Sequence, residues 1–128
     1  AAPLTDLTAV TTPEEVMRLV AAVRRVLVGE TVEGYLLDLV HLTRGHDQIE
    51  LGASPRAALA LARAAQATAA LAGRDFVLPD DVRAMAVPVL AHRIIPTAQA
   101  SLRGTTKEEL IVAVVEGVPV PVEAVAAV

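Results

Sequence analysis

Residues 57–72 are alanine and leucine almost throughout, interrupted by Arg63, Gln66 and Thr68, with Ser54-Pro55 before them and Gly73 after. Alanine is the best helix former, so this stretch predicts a helix. Ser54 reads as its N-cap, with a hydroxyl able to accept from the backbone N–H two or three residues on, and Pro55 suits the first helical position, where a missing N–H costs nothing. Gly73 fits the position just past the end, where φ > 0 is often needed. Leu59, Ala62, Ala65, Ala69 and Ala72 read as a nearly smooth face for close helix approach, which makes this the expected central helix of a bundle. The chain is 54% hydrophobic but only 2% aromatic. Its core must therefore be built from Ala, Val and Leu, which suits closely packed helices.

The remaining elements follow from apolar spacing. Val16, Leu19, Val20, Val23 and Leu27 share one face of a helix running from Pro13 to about Val28. Thr31 can cap a second helix to about Thr43, with Val32, Leu36, Leu39, Val40 and Thr43 on its buried side. Residues 44–53 lack a period and read as a loop. Phe76 reads as a core plug between Gly73 and the next helix, 79–93, whose stripe is Val82, Met85, Ala86, Val89 and Leu90. Pro88 lies opposite that stripe, so the helix is expected to kink or tighten there rather than stop. Residues 96–104 read as a connector and 105–116 as a last helix. The expected fold class is all-α, a bundle of about five helices. Residues 1–12 form a connecting strap, 13–116 the helical domain, and 117–128 an extended or frayed tail.

Length and charge narrow the function classes. At 128 residues the chain is one domain, expected to be a piece of a longer protein. Its longest apolar runs fall far short of the ~20 residues of a membrane span. The formal net charge of −4 and the scarcity of aromatics argue against a nucleic-acid binder. The absence of Cys excludes disulfide scaffolds and thiolate metal sites and is compatible with a cytoplasmic protein. His41 and His46, near Asp38 and Asp47, do not have the spacing of a metal site, and no metal ligand set is expected. There is no Gly-rich phosphate loop ending in Lys-Ser/Thr and no acidic pair after an apolar strand. Autonomous nucleotide hydrolysis by this chain is excluded.

One residue breaks the chain's own habit. Thr12-Pro13-Glu14-Glu15, Pro79-Asp80-Asp81 and Thr105-Thr106-Lys107-Glu108 place acids in first helical turns, where the macrodipole favours them. After Ser54 the first turn carries Arg56 instead, a placement that costs ~0.3–1 kcal/mol when exposed. Either the guanidinium extends into water or pairs with a surface carboxylate, or the N–H groups and Arg56 together receive an anion such as phosphate. Ser54 itself is better explained as a cap than as a nucleophile.

Four segments carry a resemblance: Leu51-Gly-Ala-Ser-Pro-Arg-Ala57, Leu71-Ala-Gly-Arg-Asp-Phe-Val77, Pro79-Asp-Asp-Val82 and Val89-Leu-Ala-His-Arg93. Together with Tyr35-x-x-x-Leu-Val-x-x-Thr-Arg44 and the strap around Pro3-Leu4 and Val10, they resemble the C-terminal lid domain of MoxR-family AAA+ ATPases over nearly the whole chain. Leu78 departs from the pattern, standing where relatives often have a Thr or Ser cap. The resemblance implies that Arg56 is the sensor 2 arginine, reaching the terminal phosphates of ATP held with Mg2+ on a separate core domain, and that Ser54 and Pro55 border the nucleotide. It further implies a parent protein that hydrolyses ATP, assembles into an oligomeric ring and remodels client or co-chaperone proteins. The composition alone leaves a second expectation open: a helical interaction module that never meets nucleotide.

Overall fold

The computed structural model describes residues 3–122. Among them are six α-helices: α1 (Pro13–Arg24), α2 (Glu30–Gly45), α3 (Pro55–Leu71), α4 (Pro79–Leu90), α5 (Ala98–Leu102) and α6 (Lys107–Gly117). Two short strands, β1 (Ile49–Leu51) and β2 (Ile95–Pro96), pair antiparallel with Ile49 opposite Pro96 and Leu51 opposite Ile95. The fold is all-α as expected, with additions in segments that have no readable period. The 44–53 loop contains β1, and the 96–104 connector contains β2's last residue and α5. Within the strap, Pro3–Asp6 forms a 3-10 turn, and Leu4, Leu7 and Val10 are exposed.

Helix α3 packs against α1, α2 and α4, and α4 in turn against α2 and α6. The face α3 buries is Ala57, Leu61, Ala65 and Ala69. This corrects the expected face, since Leu59 and Ala72 are exposed and Ala62 is only half-buried. In a run that is apolar all round, composition leaves the buried stripe undetermined, and here the i, i+4 series wins. Leu39, Leu61, Leu90, Ile94, Leu110 and Ile111 fill the centre. All five residues assigned to the buried side of α2 are buried, and Tyr35 joins them. The N-cap of α2 is Gly29, so Thr31 lies inside the helix and does not cap it. At α6 the cap is Thr106, one residue later than the start expected at Thr105; its hydroxyl accepts from Glu109 N–H at 3.1 Å.

Helix α1 is shorter than its apolar spacing suggests. It ends at Arg24, and Leu27 leaves the helical face to pair with the chain before α4: Leu27 N–H donates to the Asp75 carbonyl (2.8 Å) and Val77 N–H to the Leu27 carbonyl (2.9 Å). The Leu27 side chain is exposed and Val26 takes the core position. None of α1's residues is buried; Leu19 is 63% exposed. Amphipathic spacing says that a face can be covered but not that this domain covers it.

Gly73 adopts φ +78° after α3, as its place predicts. The following Arg74 forms a two-pronged pair with the buried Asp81 (2.7 and 2.8 Å) and also donates to the Phe76 carbonyl. Asp81 accepts in addition from Leu78 N–H at 2.7 Å, so the start of α4 is secured without a hydroxyl at Leu78. Phe76 is half-buried, with the Arg74 guanidinium 5.9 Å from its ring centroid, and is not the expected core plug. Helix α4 passes through Pro88, which faces solvent, and tightens into a 3-10 turn at Ala91–Arg93. Helix α6 reaches Gly117, and Val118 is buried in the core. Residues 119–122 follow without regular structure, and the last six residues of the tail, 123–128, lie outside the described residues.

Candidate functional site

The turn before α3 is built by the end of α2. Thr43, fully buried, donates its hydroxyl to the Val40 carbonyl (2.6 Å), and the same oxygen accepts from Ala53 N–H (2.9 Å). Its neighbour Arg44 donates Nε–H to the Ala53 carbonyl at 2.8 Å. Both backbone groups of the buried Ala53 are thus held by two consecutive residues of one helix, which satisfies polar groups that would otherwise be costly to bury. Gly52 makes the approach possible: a Cβ there would stand 2.7 Å from the Arg44 backbone.

From this latched point Ser54 turns into α3 in an extended conformation and its Oγ accepts from Ala57 N–H at 3.3 Å, the expected N-cap. Pro55 occupies the first helical position. Ser54, Pro55 and Arg56 are all exposed. The Arg56 side chain makes no hydrogen bond or ion pair with any described residue; the ion pair found among them is Arg74–Asp81. The first turn of α3 has no acid, whereas α1, α2, α4 and α6 each begin with at least two.

The β1–β2 pairing, extended by Thr97 N–H donating to the Gln48 carbonyl (2.9 Å), folds the end of α4 back beside this turn. Arg44, the Gly52–Arg56 turn and Arg93 then line one open cleft of about 550 Å3. No carboxylate lines it. Three arginines and the positive end of a helix dipole therefore line the same space, on a chain whose net charge is −4. Such a cleft suits an anion with several oxygens, because each arginine can make charge-assisted hydrogen bonds in a planar fork.

The two halves of the sequence pattern are not brought together. Gly73 to Val77 lies at the far end of α3, which spans 17 residues or roughly 25 Å. Its role in the structure is to tie α4 to α1, and it takes no part in the cleft. His46 Nδ1 accepts from Gln48 N–H, and no group of three or more His, Asp or Glu side chains able to hold a metal occurs among the described residues. In the sequence, Arg93 and Arg44 stand only as the last residues of two of the resembling segments, with no role assigned; the signal for the return of Arg93 is a strand pairing too short to show a period. A second, apolar cleft of about 340 Å3 lies between α1 and α3, lined by Val16, Leu19, Val20, Val23 and Gln66 among others.

Comparison with known proteins matches residues 41–113 to the AAA lid domain family. The chain is 44% identical over 94 residues to protein MoxR of Paracoccus denitrificans, an alignment covering 73% of this chain and 25% of that protein. It is 31% identical over 116 residues to the chaperone MoxR1 of Mycobacterium tuberculosis, covering 84% of this chain and 31% of the relative. A solved structure from Cytophaga hutchinsonii, of a protein provisionally described as an ATPase, superimposes with a TM-score of 0.80 at 32% identity, covering 84% of this chain and 36% of the other. This chain therefore spans between a quarter and somewhat over a third of the length of these proteins. No helix among the described residues is long and apolar enough to cross a membrane.

Proposed function

The chain belongs to the AAA lid domains of the MoxR family, and on that premise we propose that Arg56 is its sensor 2 arginine, completing an ATP site whose other half is a separate core domain of the same protein. The observation that carries this reading is an exposed guanidinium in the first turn of α3, without a partner among the described residues, in a cleft lined by no acid. Ser54 and Pro55 border the nucleotide while starting the helix. Residues up to Thr12 are the strap arriving from the core domain, and the lid runs from Pro13 to Val118, where its own hydrophobic core ends.

In this arrangement the core holds ATP and Mg2+. The lid's side chains supply positive charge to the terminal phosphate oxygens, where negative charge is borne during transfer to water. Because α3 is latched through Ala53 to α2, a pull on Arg56 moves the lid as a body, and loss of the γ-phosphate releases that pull. Coupled around an oligomeric ring in the cytoplasm, the movement drives remodelling of partner proteins.

Replacing Arg56 by Ala in the full-length parent lowers ATP turnover by tenfold or more, as loss of a charge-stabilising group does. The same change leaves the domain's stability unaltered or raises it by up to ~1 kcal/mol, since it removes a cation from a positive helix end and inserts a better helix former. Unchanged turnover rejects the role. The exposed apolar face of α1 is what favours the second reading, a helical interaction module; under it the parent's turnover is indifferent to Arg56.

A further inference from the structure

Arg93 does not belong to the Gly-Ala-Ser-Pro-Arg turn, stands 37 residues after Arg56, and comes from the 3-10 turn that ends α4, yet it lines the same cleft. We infer that Arg93 is a second phosphate-binding arginine of this site, so that the lid grips a nucleoside polyphosphate from two helices rather than touching it through Arg56 alone. The inference rests on the reading of the cleft as an ATP site.

The geometry separates anchoring from binding. Arg93 donates NH1 to the Val89 carbonyl at 2.6 Å, and the same nitrogen lies 2.9 Å from His92 Nε2. A guanidinium has five N–H donors. Those two contacts occupy one nitrogen, so Nε–H and the NH2 group are left with no partner among the described residues. The side chain is thus oriented at no cost to its capacity for a forked contact. Arg44 is divided in the same way, with Nε committed to the Ala53 carbonyl and both terminal nitrogens uncommitted. Arg56 is held by nothing. Arg44 and Arg93 are thus tied to the fold by one nitrogen each, while the Arg56 side chain is not.

The bland account of Arg93, a cation answering the negative end of α4, explains its bond to Val89 and nothing more. It does not explain why β2 folds this residue against the start of α3, or why no carboxylate accompanies three arginines that repel one another. A triphosphate supplies the missing negative charge on several oxygens a few ångströms apart. An acidic segment of the core domain is the competing source of negative charge, and it separates from nucleotide by experiment.

The test is equilibrium binding of ATP and of AMP to the full-length parent, comparing wild type with Arg93→Ala, Arg93→Lys and Arg56→Ala. Arg93→Ala is expected to weaken ATP about tenfold, the scale of one charge-assisted hydrogen bond, while AMP changes less than twofold. Arg93→Lys, which keeps the charge but loses the fork, falls between. If Arg56→Ala weakens ATP and Arg93→Ala does not, the inference is overturned and the sensor reading stands. If neither variant weakens ATP, both fall together. Equal weakening of ATP and AMP by Arg93→Ala also overturns it, because a supporting role in the fold does not distinguish phosphates. An acidic protein segment as the true partner appears as unchanged ATP affinity with altered assembly, which again overturns it.

Discussion

Gly52 is the residue on which the position of the arginine turn depends. The Arg44 backbone and Cγ lie 2.7 Å from where its Cβ would stand, so no larger side chain fits unless α2 and the turn separate. That separation would break the two hydrogen bonds that hold Ala53, from the Thr43 hydroxyl and the Arg44 guanidinium. Gly52→Ala is therefore expected to destabilise the domain by about 1–3 kcal/mol, the usual scale of overpacking, and to misplace Arg56 as well. Urea denaturation reads the first effect. A loss of ATP turnover in the parent at temperatures where the domain remains folded reads the second. The sequence announced the anomaly at Arg56 but not its support, because a glycine needed for close approach looks the same as a glycine in any loop.

Among the elements, long periodic segments were legible and short ones were not. Helices α2, α4 and α6 stand close to where apolar spacing places them, α1 stops about a turn short of it, and α3 was legible from its alanines and caps, because a helix of three turns repeats its pattern enough to be read. Strands of two or three residues repeat nothing, so β1 and β2 were invisible, and with them the return of Arg93 to the site. The buried face of α3 was misread for the opposite reason: too many positions were apolar. The link between α3 and α4 has its own chemistry. Hydrogen bonding from Arg74 holds the Asp81 carboxyl below its usual pKa, with Leu78 N–H adding to the effect while burial opposes it. A carboxyl with a lowered pKa in the folded state contributes stability that is complete above its unfolded value, near 4, and is lost as pH falls through the folded one. Asp81→Asn is expected to cost about 2–3 kcal/mol at pH 7, where Arg74 loses its ionised partner, and to flatten the fall in stability below pH 4. Thermal melts at pH 7 and pH 3 check both. An acid-insensitive wild type, or a variant as stable as wild type at neutral pH, contradicts the assignment of this pair.

Over the whole molecule, charge and apolar surface are unevenly placed. A chain of net charge −4 gathers three arginines around one end of its central helix, and it leaves the apolar face of α1 largely uncovered. Both features make sense in a domain that meets larger bodies on two sides and is rigid between them. The α2–α3 latch, the α3–α4 packing and the Arg74–Asp81 clasp join its main helices into one unit. The central claim is that Arg56 reaches nucleotide phosphate when the core is present. The structure of the full-length protein with a non-hydrolysable ATP analogue measures this most directly, as the distance from the Arg56 guanidinium to the nearest γ-phosphate oxygen in a nucleotide-bound subunit. The account predicts about 2.7–2.9 Å, a charge-assisted hydrogen bond. A γ-phosphate fully ligated by the core, with the start of α3 turned toward solvent and Arg56 more than roughly a Debye length of 8 Å away, contradicts it.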